Sequence, residues 1–206
     1  MSPRRTVGNL LGLAVLSYLT QGPMHPYELS RTLRAHGDDR SVKFTHGSVY
    51  MVVQQLERAA FVVQHGTSRE GHRPERTQYV LTDAGRRELA DWMRELVGEP
   101  RHEYPGFVTA LSFIGALPPA EVVALLHRRL EGLAVLRAEA QAVTDGALAA
   151  GLHPLFLIEE EYRIAQLDAD AAFTRGFLHR IEGPEGWATA WQAQHDSTDH
   201  TGTESH

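Results

Sequence analysis

The sequence predicts a mainly α-helical chain with one small β-hairpin, and three observations carry that prediction. Apolar residues recur at helical spacing in successive segments, the longest of them in the second half. Two β-prone runs, residues 61–67 and 76–81, flank a polar, turn-rich stretch at residues 68–75. Charge is also divided: residues 1–98 hold 13 Lys and Arg against 10 Asp and Glu, a balance of +3, whereas residues 99–206 hold 7 against 16, a balance of −9. A chain of 206 residues can build one or two cores, and a boundary is expected at Gly98-Glu99-Pro100. The expected organisation is a first domain over 1–98, a helical domain over 99–183 and a polar, mobile tail over 184–206.

The first helix is expected over residues 10–19. Arg4 and Arg5 ahead of that run imitate a secretory signal, but no small-residue cleavage site follows. The run is also too short to span a bilayer, so a cytoplasmic chain without a membrane partner is expected. Gly22-Pro23 ends it, and Tyr27, Leu29, Ser30 and Leu33 open a second helix with Arg31 and Arg34 facing outward. A turn over residues 37–44 carries Arg40 and Lys43.

The third helix begins near Gly47. At 100° per residue, Val49, Val52, Val53, Leu56, Ala59 and Ala60 share one side and are its expected buried stripe. Tyr50, Met51, Gln54, Gln55 and Arg58 stand opposite, with Thr45, His46 and Ser48 at the amino-terminal end, where orphan N–H groups and the helix dipole favour an anion. An isolated two-stranded hairpin is marginal, so the hairpin that follows must lean on these helices. Arg69, His72, Arg73 and Arg76 lie at or near its tip, partly offset by Glu70 and Glu75. Thr82 is an expected N-cap for a helix over 83–97 with Leu89, Trp92, Met93 and Leu96 on one side.

In the second half, residues 103–116 form a short apolar helix with Phe107, Leu111, Phe113 and Ile114. Residues 119–150 place Val122, Leu126, Leu133, Leu136, Ala140 and Val143 on a seam that Arg129 interrupts. Residues 155–181 bear Phe156, Ile158, Tyr162, Ala165, Ala169, Phe173, Phe177 and Ile181. One thin hairpin cannot bury both faces of such helices, so a homodimer is expected, with Val122, Leu126, Leu133, Leu136, Phe173 and Phe177 as its contacts. Trp187 and Trp191 are spaced to share a helical face and to dock on the body.

Helix, turn, helix and arginine-tipped hairpin, in that order, are the sequence of an N-terminal winged helix-turn-helix followed by a C-terminal antiparallel helical dimerisation domain. Double-stranded DNA is therefore the first partner to consider. Glutamine can pair with adenine in the major groove, serine and threonine can serve phosphates or bases, and arginines at a projecting tip can meet the backbone or the minor groove. The candidate DNA-binding set is Lys43, Thr45, His46, Ser48, Tyr50, Met51, Gln54, Gln55, Arg58, Arg69, Arg73 and Arg76. With +3 on the first half, geometry and dimerisation must supplement electrostatics.

Catalysis has no positive support. The chain has no cysteine, which removes disulfides, thiolate chemistry and Cys-based zinc sites. Its twelve histidines form no His-Glu-x-x-His, and Glu159-Glu160-Glu161 point in three directions around a helix. No phosphate loop, dinucleotide fingerprint or Gly-x-Ser-x-Gly occurs, so no cofactor and no metal are expected.

Leu10 to Leu19, Pro26-Tyr27-Glu28-Leu29, Gly47-Ser48-Val49-Tyr50 with Leu56-Glu57, and Gln78-Tyr79-Val80-Leu81-Thr82-Asp83-Ala84-Gly85 together resemble the PadR family of bacterial transcriptional regulators. The resemblance covers the first half closely and extends into residues 107–117 and Pro118-Pro119. Pro26 stands where that family usually has glycine, and His46 where it often has proline; a histidine at this helix start can make phosphate contact weakly pH-dependent. The resemblance implies a ligand- or signal-responsive repressor on a near-palindromic operator; the expected homodimer places its half-sites about one helical turn, roughly 34 Å, apart, or a multiple of that. It also implies a small apolar or aromatic effector, for which Trp92, Phe107 and Phe113, with Phe173 and Phe177, are the candidate pocket. A protein-interaction module, or a small-molecule-binding protein that uses the helical half without specific DNA binding, is the alternative.

Overall fold

The computed structural model describes residues 6–68, 76–184 and 186–193. It is a mainly helical chain with a two-stranded antiparallel sheet, divided into compact units of residues 1–102 and 103–206. The division falls four residues after the boundary expected from Gly98-Glu99-Pro100.

In the first unit the order is α1 (Leu10–Tyr18), α2 (Pro26–Ala35), a short 3-10 turn (Asp38–Arg40), α3 (His46–Arg58), β1 (Val62–Ser68), β2 (Arg76–Leu81) and α4 (Asp83–Gly98). Side chains close most of the helix starts. Asn9 Oδ1 accepts the Leu11 N–H at 3.0 Å, and Thr82 Oγ1 accepts that of Gly85 at 3.0 Å. His25 caps α2, accepting from the Tyr27 N–H while Glu28 accepts from the His25 N–H, and Pro26 sits where a missing donor costs nothing. Tyr18 ties the turn after α2 to α1: its hydroxyl donates to Asp38 Oδ2 at 2.5 Å, and burial together with that carboxylate pushes the phenol well above its usual range. Leu11, Val15, Leu16, Leu29, Leu33, Val49, Val53 and Leu56 form the fully buried centre of the core.

Val49, Val52, Val53 and Leu56 of the expected stripe are buried and Ala59 is half-buried against the same core, but Ala60 is exposed. The helix ends before them. The Ala60 N–H reaches the Glu57 carbonyl and the Phe61 N–H the Leu56 carbonyl, each at 2.9 Å, with Ala60 left-handed at φ 60°. This reciprocal pair satisfies the last carbonyls and turns the chain into β1. A Cβ in that conformation is strained, so Ala60→Gly is expected to raise stability in urea denaturation by about 0.5–1 kcal/mol.

The hairpin pairs Val62 with Leu81 and Gln64 with Tyr79, then shifts register between Gln64 and Gly66, a bulge that Gly66 accommodates at φ 127°. The sheet gains a stub that the sequence reading did not anticipate: Met24 pairs with Tyr79 through N–H···O bonds of 3.1 and 3.0 Å. Those bonds lash the α1–α2 connection to the wing.

The second unit contains α5 (Gly106–Ser112), a 3-10 turn (Ile114–Ala116), α6 (Pro119–Ala149), a second 3-10 turn (Pro154–Leu157) and α7 (Ile158–Glu182). The helix expected over 103–116 is therefore shorter and broken at Phe113. Helices α6 and α7 form an antiparallel hairpin whose core holds Val122, Leu126, Phe177, Leu178 and Ile181. Arg129, the seam breaker, bonds Asp170 of α7 and lies 3.4 Å over the Phe107 ring; Arg137 pairs with Asp168 at 2.7 Å. These contacts register the two helices. Residues 187–193 are helical and dock on α7, with Trp191 stacked on Phe177 at 6.4 Å and Arg180 4.9 Å over Trp187. The first part of the expected mobile tail is thus packed, whereas residues 194–206 lie outside the described residues.

This packing corrects the expected dimer contacts. Val122, Leu126, Leu133 and Phe177 are at most 8% exposed within the single chain, and Val122, Leu126 and Phe177 share one α6–α7 cluster with Phe107 and Leu111 of α5 packed against it. Leu136 and Phe173 remain about half exposed, at 52% and 46%.

Candidate nucleic-acid interface

Thr45 and Ser48 build the start of α3. Thr45 Oγ1 accepts from the Ser48 N–H at 3.2 Å, and Ser48 Oγ accepts from the Thr45 N–H at 2.8 Å while donating to the Thr45 carbonyl at 2.9 Å. This reciprocal cap fixes the angle at which α3 leaves the turn. Both side chains, expected as DNA contacts, are thereby engaged in holding the helix end, a role that Thr-x-x-Ser ahead of an apolar run could have signalled.

With its apolar stripe buried, α3 turns Tyr50, Met51, Gln54, Gln55 and Arg58 outward. Met51 is 59% exposed and Tyr50 40%. Gln54 and Gln55 bring both hydrogen-bond donors and acceptors to the surface. Arg58 lies back along its own helix, its Nε donating to the Gln54 carbonyl at 3.2 Å. Lys43 is exposed in the turn ahead of the cap. Arg69 and Arg73 lie outside the described residues, and Arg76 is described only as the first backbone position of β2.

Helix α2 contributes more to this face than the sequence reading assigned. Tyr27 stacks on His46 with ring centroids 5.8 Å apart and planes 5° from parallel, and His25 meets Tyr50 edge-on at 5.8 Å. His46 Nδ1 is 2.7 Å from Ser30 Oγ and Nε2 is 3.3 Å from Arg34 Nη1. The steps of three and four residues from Tyr27 to Ser30 to Arg34 put these groups on one side of α2, which is the signal that could have found them.

The three rings expected to line an effector pocket have different surroundings. Trp92 is buried beside Gly12 of α1. Phe107 lies half-buried in the second unit against Phe173 and under Arg129. Phe113 is 72% exposed, because the break between α5 and the 3-10 turn puts it on the surface. The second unit does contain an open groove of about 580 Å³, where Pro119 and Val123 of α6 face Ile181, Ala188, Thr189 and Gln192. Among the described residues no group of three or more His, Asp or Glu could hold a metal ion, and no helix is long and apolar enough to cross a membrane.

A capped helix with an exposed polar face, a second helix braced against it and a hairpin on its far side define a winged helix-turn-helix. Residues 15–91 match the model of the "Transcriptional regulator PadR-like family". Through that domain the chain is similar to the PadR-like family of transcriptional regulators. A Mycobacterium tuberculosis protein named as a probable transcriptional regulator is 33% identical over 108 residues, 48% of this chain and 50% of its own length. The negative transcriptional regulator PadR of Bacillus subtilis is 27% identical over 123 residues, 59% of this chain and 66% of that one. The chain thus spans half to two thirds of these relatives. In fold, it is similar to B. subtilis PadR solved with operator DNA, at a TM-score of 0.68 and 20% identity over 84% of this chain and all of that one. The same protein solved with p-coumaric acid gives 0.66 at 18% identity, over 89% and 99%.

Proposed function

We propose that this chain is a homodimeric repressor that reads a near-palindromic operator with α3, one half-site per protomer, and anchors itself through the wing and the turn at Lys43. One observation carries the reading: α3 buries every large apolar side chain of its stripe and leaves Tyr50, Met51, Gln54 and Gln55 facing solvent on a rigid, doubly capped helix. In this reading Gln54 or Gln55 pairs with a base edge and Met51 meets a thymine methyl. Thr45, His46 and Ser48 bring phosphate to the helix start, and Arg58, Arg69, Arg73 and Arg76 serve the backbone.

The dimer is supported by the apolar surface the hairpin leaves uncovered. Ile158, Tyr162, Ala165, Ala169 and Phe173 line one side of α7 at steps of three and four residues, all exposed, while the opposite side packs on α6. Leu136 belongs to the same uncovered surface class on α6. A second copy covering these stripes is the economical solution, since a two-fold axis then presents two α3 helices to one duplex. A small apolar or aromatic effector acting on the helical unit completes the proposal; B. subtilis PadR, with the same fold, was solved with p-coumaric acid.

Selection from a random duplex pool by the full-length chain tests the DNA reading. Enrichment of a two-part site with centres roughly 34 Å apart, or a multiple, is expected. A pool that emerges unenriched would leave the protein-interaction alternative standing. On the selected duplex, Gln54→Ala is expected to cost about 1–3 kcal/mol and relax discrimination at one position, whereas Lys43→Ala should weaken all sequences alike and lower the salt slope by roughly one. Fluorescence anisotropy at several salt concentrations separates the two effects.

A further inference from the structure

His46 sits in the first turn of α3, yet its ring is held from α2. Nδ1 lies 2.7 Å from the buried Ser30 hydroxyl, Nε2 lies 3.3 Å from Arg34 Nη1, and Tyr27 lies flat against the ring. A guanidinium has donors only, so Nε2 must accept. The single proton of the neutral imidazole then belongs on Nδ1, donated to Ser30 Oγ. A second ring proton would set N–H against N–H and two like charges 3.3 Å apart, so ring and guanidinium would have to separate.

We propose that Arg34 is a further phosphate-binding group of the DNA face and that His46 is its proton-operated catch. With His46 neutral, the ring holds Arg34 along α2. When His46 takes a proton, Arg34 is released, and both cations lie at the amino-terminal end of α3, where a duplex phosphate is received. This inference rests on the DNA-binding reading above. The groups facing the ring are Tyr27, Ser30 and Arg34 of α2; on the α3 side, Thr45 and Ser48 are bound to each other. No carboxylate is a partner of His46 among the described residues. A bound phosphate would supply the missing negative charge, so DNA binding takes up a proton and affinity rises as pH falls.

The test is anisotropy with the full-length chain and its selected duplex between pH 5.5 and 8.0 at fixed ionic strength. One coupled proton changes affinity by at most about tenfold per pH unit, and a gain of about three- to tenfold is expected on going from pH 7.5 to 5.5. His46→Gln should flatten the profile. Arg34→Gln, at an exposed position, should weaken binding more at pH 5.5 than at pH 7.5. His25, His36 and His65 lie in the same unit, so a profile that survives His46→Gln overturns the proposal, as does a flat wild-type profile or an equal loss from Arg34→Gln at both pH values. A long-range ¹H–¹⁵N spectrum of the uncomplexed protein above pH 7.5 gives a readout without DNA: the Nδ1–H tautomer is expected at His46, and Nε2–H overturns the catch. Failure to select any duplex at any pH would instead sink the DNA-binding reading.

Discussion

Gly85→Ala is expected to destabilise the first unit by about 3 kcal/mol or more, a large cost for adding one methyl group. A Cβ at Gly85 would lie 2.0 Å from the Phe61 carbonyl oxygen and 3.0 Å from Leu81 Cδ2. The first of these is backbone, so no side-chain rotation relieves it. Nor can the backbone retreat cheaply. The Thr82 N–H donates to the Phe61 carbonyl at 3.1 Å, and the Thr82 hydroxyl, which caps α4 through the Gly85 N–H, donates to the Ala60 carbonyl at 2.7 Å. Moving α4 outward therefore breaks the cap, and moving residues 60–61 outward breaks the turn that ends α3. Both ends of the wing and the end of α3 meet at this knot, so, if α3 reads the operator, operator affinity should fall with stability. Urea denaturation measures the cost, with Gly98→Ala as the control, since a Cβ there meets nothing within 4 Å. A loss no larger than in that control would mean the close approach is not a constraint.

The same knot shows what could and could not be read from the residues. Period-3.6 apolar spacing located α3 because a stripe buried on one side has no other solution at that length. It could not locate the end of the helix, because Ala59 and Ala60 continue the period; the stop comes from two backbone bonds and a left-handed alanine. The Met24 pairing with Tyr79 was equally invisible, since one residue of strand has no period. Hydroxyls at a helix start suit both phosphate and capping; the Thr-x-x-Ser spacing of Thr45 and Ser48 signals the cap, and the coordinates show the bonds that make it. In the second unit, the spacing of Val122, Leu126 and Leu133 established that this side of α6 must be covered but not by what. The antiparallel α7 reaches it first, because a short connection makes the intrachain partner far more concentrated than a second copy.

Glutamates at Ala165 and Ala169 are expected to leave the protomer folded and to abolish its self-association, lowering operator affinity by about 10²–10⁴-fold. Both alanines lie exposed in the middle of the uncovered stripe on α7, between Tyr162 and Phe173. Alanine and glutamate are both good helix formers, so the exchange asks nothing of the helix itself. It also leaves untouched the opposite side of α7, where Thr174, Phe177, Leu178 and Ile181 pack into their own chain. In an isolated protomer, therefore, the double variant should keep its circular dichroism and its denaturation midpoint. Any larger effect requires something to cover the stripe. Helix α7 is apolar on two sides, and a helix of that kind is stable in water only when both are buried. Small residues between large ones also suit close approach of a second helix, where two buried carboxylates per protomer would be desolvated without partners. Loss of dimer then costs the second half-site, and with it the effective concentration that one bound α3 confers on the other. Sedimentation of the wild type and the variant at micromolar concentration separates the outcomes. A variant that stays dimeric places the two-fold axis elsewhere on the molecule, and a monomeric wild type removes the paired-half-site mode of reading altogether.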